Sequence, residues 1–250
     1  MFSSTARLYD LIYSRFKSYG DEVDRIAALL RELHPAAHAL LDVGCGTGEH
    51  ARLLRERYGY AVGGIDLQPE FVEIARAKNP AGEFAVADMV AFDLGRRFDA
   101  VLCLFSSIGY VRTLENARRA LACFRRHVKD GGVAIVEPWF APGVLEHGYV
   151  GLHTGEGEGV TICRMSHTEV EGPLSRLRFE YLIGSGTGIE RASEVHELGL
   201  FTTTELRGCF EDAGFDVTYD PQGLTGRGLF VGRAGRTRER ALDPQAAWQE

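Results

Sequence analysis

The chain lacks several features that would assign it to a common class of protein. No apolar run approaches the roughly 20 residues of a membrane span, and the N-terminal stretch MFSSTARLYD has no hydrophobic signal-peptide core. The net charge is −7 and no helix carries a basic stripe, which argues against a general nucleic-acid binder. We therefore expect a cytoplasmic enzyme that acts on a small molecule, with neither nucleic acid nor membrane as a partner.

Paired cysteines are missing as well. The five cysteines, at positions 45, 103, 123, 163 and 209, are odd in number and form no CxxC pair. Such a set is typical of reduced thiols and not of a zinc site or a disulfide framework, so we predict no metal site. Cys45 lies inside a glycine-rich turn, where its small size explains its presence better than a nucleophilic role does.

Buried strands and helices alternate over the first 140 residues. The predicted strands are LLDV, AVGGID, EFAVAD, FDAVLCLFS and GGVAIVEPW, and the predicted helices cover residues 20–33, 50–58, 67–79 and 113–128. This alternation is typical of a doubly wound parallel sheet in an α/β protein. After a helix over residues 202–214, FDVTYD and GRGLFVGRA are two further strands that we expect to pair at the edge of that sheet.

Between the predicted parallel sheet and the final helix, the spacing of the apolar residues changes. VTICRMSHTEV, SRLRFEYLIG and ERASEVHELGLF alternate apolar and polar residues in steps of two, with glycine-rich turns between them. We predict an antiparallel β-meander over residues 143–201, inserted into a main domain formed by residues 1–142 and 202–234. Residues 235–250 are predicted to form a flexible tail.

The stretch LLDVGCGTG, residues 40–48, is a buried strand that ends in a glycine-rich turn. The turn has GxGxG spacing, whereas a dinucleotide fold requires GxGxxG, and Asp42 lies two residues before the first glycine. The glycines let the backbone approach a ligand closely. An acid beside the turn would repel a pyrophosphate and suits a ligand that carries a cation. A nicotinamide-dependent oxidoreductase is thus disfavoured, and a titration with NADH would test it.

Two more acids end the next two predicted strands. Asp66 comes about 20 residues after the turn, at the position where an acid binds ribose hydroxyls. Asp88 ends the third strand and is followed by Met89, a suitable pair for the amino group and the face of a purine. Three acids after three successive strands, without a phosphate clamp, indicate a nucleoside-containing ligand other than NAD.

The set DVGCGTG, GID and AD-Met, with seven strands and a final antiparallel hairpin, resembles the class I S-adenosylmethionine-dependent methyltransferases over nearly the whole chain. The resemblance implies a Rossmann-like methyltransferase fold and S-adenosylmethionine (SAM) as the cofactor. It implies that the glycine turn lies against the methionine part of SAM, that Asp66 binds the ribose, and that Asp88 and Met89 bind the adenine. Asp42 would support the turn or the amino end. The predicted cofactor-binding residues are Tyr9, Tyr19, Asp42, Gly44, Cys45, Gly46, Gly48, Asp66, Leu67, Asp88, Met89, Leu104 and Phe105.

A narrower resemblance concerns the methyl acceptor. LYDLIY, LGRRF, LFSSIGY, VEPWF, RMSH, LFTTTE and GRGLFVG, in this order, resemble the N-methyltransferases of nucleotide-linked aminosugars in antibiotic biosynthesis, which dimethylate an amine on a dTDP-deoxysugar. The resemblance implies that the meander covers the acceptor site and helps to form a homodimer. It also implies that the N-terminal segment folds over the cofactor, with Tyr9 and Tyr19 near the SAM carboxylate.

Catalysis of such a transfer consists mainly of holding a neutral amine in line with the methyl group. Tyr110, in the loop after the fourth strand, and Glu137, at the end of the fifth, lie where ligands bind in open α/β sheets. We predict that Tyr110 orients the amine and that Glu137 accepts or relays its proton, with His167 as a third catalytic candidate.

Arginine is the residue expected to bind a diphosphate. Arg227 is flanked by glycines that leave its guanidinium room for a bidentate contact, and two arginines of the meander are weaker candidates. The predicted substrate-binding residues are Ser106, Tyr110, Trp139, Tyr149, Arg164, Arg178 and Arg227.

Two other interpretations remain open at this point. The acceptor can be a non-sugar amine, hydroxyl or carbon of another small molecule. Alternatively, the chain can be a non-catalytic partner protein with this fold, although the intact glycine turn, Asp42 and Asp66 argue against that. The ring position of the amine and the number of methyl groups are also open.

Overall fold

The computed structural model describes residues 6–157 and 159–235, so most of the predicted tail, residues 236–250, lies outside the described residues. The helices are α1 (Tyr9–Tyr13), α2 (Tyr19–Leu33), α3 (Glu49–Tyr58), α4 (Pro69–Lys78), α5 (Leu114–His127) and α6 (Thr203–Asp212). The strands are β1 (Ala39–Val43), β2 (Ala61–Asp66), β3 (Phe84–Val86), β4 (Phe98–Cys103), β5 (Val128–Val136), β6 (Val150–Gly157), β7 (Val160–Glu171), β8 (Leu174–Ser185), β9 (Gly188–Gly199), β10 (Phe215–Asp220) and β11 (Leu229–Ala234). Short 3₁₀ turns cover Ala6–Leu8 and Ser107–Val111.

Seven strands form the main sheet in the order β10-β11-β5-β4-β1-β2-β3. The five strands from β5 to β3 are parallel, and β11 pairs antiparallel with both β5 and β10. The predicted doubly wound, mostly parallel seven-stranded sheet is therefore confirmed, including the closing hairpin at its edge. Because β1 lies at the point where the strand order reverses, the loop after it opens onto the crevice where ligands bind in such folds.

Helices cover both faces of this sheet, as the buried character of its strands requires. On one face Ile26 of α2, Leu54 of α3 and Val72 of α4 are fully buried against the sheet. On the other face Phe124 of α5 and Phe210 of α6 are fully buried in a second cluster. Within the described ranges, no helix is long and apolar enough to cross a membrane.

The helix ends follow from local capping. The Ser18 hydroxyl accepts the Asp21 N–H at the start of α2, and Thr202 forms a reciprocal capping box with Glu205 at the start of α6. Each such cap satisfies a backbone N–H that would otherwise have no partner in the first turn. The predicted helices are confirmed with end points that differ by one or two residues.

The second sheet is antiparallel, in the order β6-β7-β8-β9, and confirms the predicted β-meander insertion. The prediction of three strands was wrong in number, because β6 is a fourth. Its sequence VGLHTGEG contains three glycines and little apolar alternation, and it is an edge strand that pairs only with β7. The strand β6 therefore forms because it pairs with β7, although its own sequence has only a weak strand signal.

Candidate active site

A cavity of about 960 Å³ lies between the carboxyl edge of the main sheet, helix α1 and one face of the four-stranded sheet. Its walls come from the loops after β1 to β5 and from all four strands of the smaller sheet. This volume is at the upper end of the range for ligand pockets and leaves room for a cofactor together with an acceptor.

The glycine turn after β1 forms one wall. Gly44 and Gly46 adopt φ angles of 71° and 53°, in the left-handed region that favours glycine. A Cβ atom on Gly44 would come within 2.7 Å of the Ser107 Cβ, whereas a Cβ on Gly46 would meet nothing within 4 Å. The Gly44 N–H donates to the Ile65 carbonyl at 2.8 Å, which fixes the turn against β2. Gly48 lies behind this wall and begins α3.

Asp66 links this turn to the next loop. One carboxylate oxygen accepts the Gly46 N–H at 2.9 Å and the other accepts the Gln68 N–H at 2.9 Å. Burial raises the pKa of Asp66, although these backbone hydrogen bonds oppose the shift. Each oxygen retains a lone pair that can accept a hydroxyl donor from a ligand in the cavity.

Asp42 lies behind the turn and not on the cavity wall. Its side chain is 1% exposed, and its Oδ2 atom has no hydrogen-bond partner among the residues that the structure describes. Burial raises its pKa to about 6, and the negative charge of Asp66 adds to the shift. A cationic ligand bound nearby would offset the cost of this buried negative charge.

Cys45 also belongs to this wall but supplies no nucleophile. Burial raises the pKa of its thiol well above the usual value, so the sulfur stays protonated.

The loops after β2 and β3 extend the cavity toward the edge of the sheet. Leu67, Asp88 and Met89 all line it there. Asp88 is exposed and accepts the Val90 N–H at 3.1 Å through one oxygen, while Met89 is half-buried. A carboxylate beside a thioether suits the amino group and the face of an adenine, as the sequence predicts.

Helix α1 folds over the cavity. The Thr47 hydroxyl donates to Asp10 at 2.6 Å, and Lys78 makes an ion pair with the same carboxylate, which ties α1 to the glycine turn. The rings of Tyr9 and Tyr13 lie 4.3 Å apart, and both residues line the cavity. The N-terminal segment therefore covers the site.

A buried ionic network supports the start of α2. The Lys17 ammonium lies 2.5 Å from Glu22 and 3.9 Å from the centre of the Phe105 ring. The His50 ring reaches the same Glu22 carboxylate at 2.7 Å, and Tyr19 packs edge-on against His50. This network holds Tyr19 and Phe105 on the cavity wall.

The turn after β4 is strained and explains the position of Glu137. Phe105 and Ser106 have φ angles of 50° and 62°, which non-glycine residues rarely adopt. Glu137 is fully buried; one carboxylate oxygen accepts the Phe105 N–H at 2.7 Å and the other accepts the Thr225 hydroxyl. The Ser106 hydroxyl donates to the Pro138 carbonyl at 2.7 Å. Glu137 and Ser106 thus lie behind the cavity wall, and the geometry does not support the predicted proton transfer by Glu137.

Arg227 lies on the cavity wall among three aromatic rings. Its guanidinium is 5.2 to 5.4 Å from the ring centres of Phe105, Trp139 and Phe140. One of its nitrogens donates to the Ser106 hydroxyl at 3.1 Å. The rings hold the guanidinium by cation–π contacts and leave its remaining N–H groups for a ligand.

Arg164 enters the cavity from β7. Its guanidinium lies 5.0 Å from the centre of the Tyr13 ring and 4.6 Å from that of Phe179, and one nitrogen is 3.2 Å from the His153 ring. The residue is 3% exposed, and its Nε and Nη1 atoms have no hydrogen-bond partner within the described part of the chain. A buried cation with two unpaired donors is costly unless an anion binds to it.

Tyr110, Trp139 and Tyr149 complete this part of the cavity. The Tyr110 hydroxyl lies 3.0 Å from Nδ1 of His196, and the Trp139 indole N–H donates to Ser175 at 2.9 Å. Leu104 and Phe105 lie between this part and the glycine turn, and both line the cavity.

Two predicted site residues point away from it. Arg164, Ser166 and Thr168 of β7 line the cavity, so His167 faces the opposite side of the sheet by the alternation of strand residues. Arg178 occupies that same outer face and donates to Glu169 at 3.2 Å. The assignments of His167 to catalysis and of Arg178 to acceptor binding are therefore corrected.

Several residues that line the cavity were not predicted from the sequence. Strand periodicity places His196 on one face with Glu194 and Leu198, but it does not show which face of the strand meets the cavity. The described residues contain no group of three or more His, Cys, Asp or Glu side chains placed to hold a metal ion. The cavity residues that the sequence analysis did not assign include Tyr13, Phe16, Lys17, Thr47, Phe71, His153, Phe179 and His196.

The strand order, the glycine turn and the acids at or just beyond the carboxyl ends of β1, β2 and β3 are typical of a nucleoside-binding α/β enzyme, and Arg164 and Arg227 add positive charge to the cavity wall. A family model described as a methyltransferase domain matches residues 40–132. The chain is 42% identical, over 94% of its length and 92% of the relative's, to the dTDP-3-amino-3,6-dideoxy-alpha-D-glucopyranose N,N-dimethyltransferase of Streptomyces fradiae. It is 39% identical to the dTDP-4-amino-2,3,4,6-tetradeoxy-D-glucose N,N-dimethyltransferase of Saccharopolyspora spinosa, over 91% of each chain.

The comparison with solved structures also finds an aminosugar methyltransferase. The SAM-bound structure of CalS10, an amino pentose methyltransferase of Micromonospora echinaspora involved in calicheamicin biosynthesis, matches with a TM-score of 0.81 at 37% identity. The match covers 93% of this chain and 97% of that one. The chain belongs to the family of SAM-dependent aminosugar N-methyltransferases.

The residues present fit SAM as the cofactor. The unpaired oxygen of Asp42 and the carboxylate of Asp66 supply negative charge for a ligand with a sulfonium and an ammonium group. The open space at Gly46 lets the backbone of the turn approach that ligand.

Proposed function

We propose that this enzyme methylates the amine of a dTDP-linked aminodeoxysugar, and that it adds two methyl groups in succession. The single observation that carries this proposal is the pair of arginines, Arg164 and Arg227, on the wall of the cavity. Their charges match the two negative charges of the diphosphate that joins a nucleoside to a sugar.

The two guanidiniums converge on the same aromatic cluster. Arg164 lies against Tyr13 and Arg227 against Phe105, and the rings of Tyr13 and Phe105 are 5.2 Å apart. A diphosphate between them would offset the buried positive charge of Arg164 and so reduce the cost of burying it. The exposed rings of Phe16 and Tyr149 at the cavity wall offer faces for the thymine base.

Bound SAM supplies a methyl group that is already activated on a sulfonium. The chain's own contribution is to position the amine and to exclude water. Tyr110 presents its hydroxyl to the cavity, where it can accept a hydrogen bond from the amine, and α1 covers the site. Glu137 holds the strained turn at Phe105, which is a positioning role and not proton transfer.

The relatives differ in where the sugar carries its amine. Their names place it on carbon 3 or carbon 4 of a hexose, and CalS10 is described as an amino pentose methyltransferase. An anchor on the diphosphate is compatible with this variety, because it fixes the end of the substrate that these acceptors share. The names of the two curated relatives also support dimethylation.

The test is a mass-spectrometric assay of the purified enzyme with SAM and a panel of dTDP-aminodeoxysugars whose amine is on carbon 3 or carbon 4. We expect one panel member to gain 14 and then 28 mass units, with the free aminosugar a far poorer acceptor. No product from any dTDP-aminosugar, with SAM binding measured separately, would discard the sugar and favour another small-molecule acceptor.

We further propose that the insertion, residues 143–201, both covers the acceptor and contacts a second copy of the chain. Its outer face exposes Leu152, Met165, Leu182 and Val195, four large apolar side chains on neighbouring strands. Such a patch marks an interaction surface. Analytical ultracentrifugation should show a homodimer that Met165→Glu dissociates, and a wild-type monomer at micromolar concentration would contradict it.

We expect the enzyme to act in the cytoplasm, where sugar nucleotides and SAM are available.

A further inference from the structure

A chain of three polar side chains runs from the cavity into the smaller sheet. The Tyr110 hydroxyl lies 3.0 Å from Nδ1 of His196, and Nε2 of the same ring lies 3.3 Å from a carboxylate oxygen of Glu194. The Tyr181 hydroxyl donates to that oxygen at 3.0 Å. His196 and Glu194 are 2% and 5% exposed, so these two residues are shielded from bulk water, whereas Tyr110, 39% exposed, faces the cavity.

The carboxylate of Glu194 determines which group donates in each of these hydrogen bonds. An ionised carboxylate only accepts, so Glu194 fixes the proton of the His196 ring on Nε2. Nδ1 then carries a lone pair, and the Tyr110 hydroxyl must donate to it. The lone pairs of the Tyr110 oxygen remain for a donor in the cavity, which is the group that a protonated amine presents.

We infer that His196 is the proton acceptor of the reaction and that it acts through the Tyr110 hydroxyl, with Glu194 holding the ring. This inference rests on the proposed function, since it assumes an amine acceptor. It replaces Glu137, whose two oxygens are engaged in the turn behind the cavity wall.

The proton moves from the amine to His196 in two linked transfers. An aminosugar reaches the enzyme largely as an ammonium, which has no lone pair for attack. Its N–H bond breaks toward the Tyr110 oxygen while the phenol O–H bond breaks toward Nδ1 of His196, so the amine becomes neutral and the ring becomes an imidazolium. Glu194 stabilises that charge, and the proton leaves to solvent when product is released.

The surroundings keep His196 in the form that this role needs. Burial lowers its pKa, opposed by the hydrogen bond and the charge of Glu194, and the nearby Arg164 lowers it further. The groups that face the ring are Tyr110, Glu194 and Phe179, with Tyr181 and Arg164 behind them. Burial also raises the pKa of Tyr110 well above its usual value, so the phenol relays a proton and does not ionise by itself.

The test compares His196→Asn with wild type in single-turnover methylation from pH 6.5 to 9.5. Asparagine leaves a carbonyl that can accept from Tyr110 but cannot take up a proton. We expect a rate about 100-fold lower at pH 7. The gap should close as the pH rises above the pKa of the amine, about 8 if it resembles an α-amino group. Affinity for SAM, measured by calorimetry, should stay unchanged.

Two further variants make the result specific. Glu194→Gln keeps a hydrogen-bonding group and should show a smaller loss with the same pH dependence. His167→Asn, a histidine on the outer face of the same sheet, should match wild type at every pH. In the free protein at neutral pH, ¹⁵N NMR should find His196 neutral with its proton on Nε2.

Three outcomes would overturn the inference alone: full activity of His196→Asn at pH 7, a loss by the same factor at pH 7 and pH 9.5, or a ring proton on Nδ1. A wild-type enzyme that methylates no aminosugar would instead overturn the proposed function, and this inference with it.

Discussion

The two halves of the cavity are built in opposite ways. The proposed cofactor half uses the loops after β1, β2 and β3, and the groups that it offers to a ligand are close backbone and carboxylates. The proposed acceptor half contains Tyr110, Trp139, Arg164, His196 and Arg227, which are spread over more than 110 residues of the chain, and it offers mainly aromatic rings and cations.

This difference reflects what each half must do. A cofactor that the whole class shares can be bound by a short, constant turn whose geometry depends on neighbouring residues in the sequence. An acceptor that differs among relatives requires side chains from the insertion and from the final hairpin, where changes leave the glycine turn intact. The following predictions test whether the two halves are as separable as this comparison implies.

The largest effect should come from Gly44→Ala. The new Cβ would lie 2.7 Å from the Ser107 Cβ, and a left-handed backbone costs a non-glycine residue about 1–2 kcal/mol, so the turn must shift. We expect SAM affinity to fall by about 100-fold or more, measured by calorimetry. Gly59→Ala has nearly the same φ angle, 73°, at the end of α3 and open space around it. That control should lose some stability and bind SAM normally; equal effects of both variants would show that strain alone is responsible.

Asp42→Asn should stabilise the free protein at neutral pH while weakening its affinity for SAM. The folded pKa of Asp42 is about 6, above the ordinary value of 3.8, so ionisation in the folded state costs stability as the pH rises from about 4 to about 6. A shift of about two units corresponds to roughly 3 kcal/mol. Asparagine avoids that cost, so its advantage in denaturant unfolding should be largest above pH 6 and shrink toward pH 4.

Asp99→Asn is the matched control for this change. Burial acts to raise the pKa of Asp99, but hydrogen bonds from Lys129 and from the Ala39 and His38 N–H groups outweigh it and lower the pKa. Its ionised form therefore stabilises the fold above its unfolded pKa, and the variant should be less stable at pH 7. A stabilised Asp99→Asn, or an Asp42→Asn advantage that does not depend on pH, would contradict this account.

Arg227→Ala should affect the acceptor half alone. Hydrogen bonds to charged groups contribute about 1.5–3 kcal/mol, so the KM for the dTDP-aminosugar should rise about 10- to 100-fold with an unchanged dissociation constant for SAM. Steady-state kinetics and calorimetry measure the two quantities. Arg178→Ala, on the outer face, should change neither. A parallel loss of SAM affinity in Arg227→Ala would break the separation of the two halves.

The smallest effect should come from Glu137→Gln. Glutamine can still accept the Phe105 N–H, and its amide can donate to the Thr225 hydroxyl, so the strained turn should persist. We expect kcat within a few-fold of wild type. A general base would cost about 10²- to 10⁴-fold when neutralised, so a loss of that size would restore Glu137 as the proton acceptor.

The sequence was sufficient for the main sheet, the insertion and the glycine turn beside Asp66, because patterns of residues close together in the chain signal these elements. Gly44, Gly46 and Asp66 form one hydrogen-bonded unit, and a motif captures it. His167 and His196 show the limit: both lie on predicted strands, but which face each presents to the cavity depends on how the smaller sheet packs against α1 and the main sheet. The engagement of Glu137 by a neighbouring turn likewise arises only after β4, β5 and the final hairpin have come together.

The most direct test of the proposed division is the crystal structure of the enzyme with S-adenosylhomocysteine and the dTDP-aminosugar that it methylates. The account predicts adenosine beside Asp66 and Asp88, the diphosphate between Arg164 and Arg227, and the amine within hydrogen-bond distance of the Tyr110 hydroxyl. A diphosphate bound away from both arginines, or an amine nitrogen closer to Glu137 than to Tyr110, would contradict it.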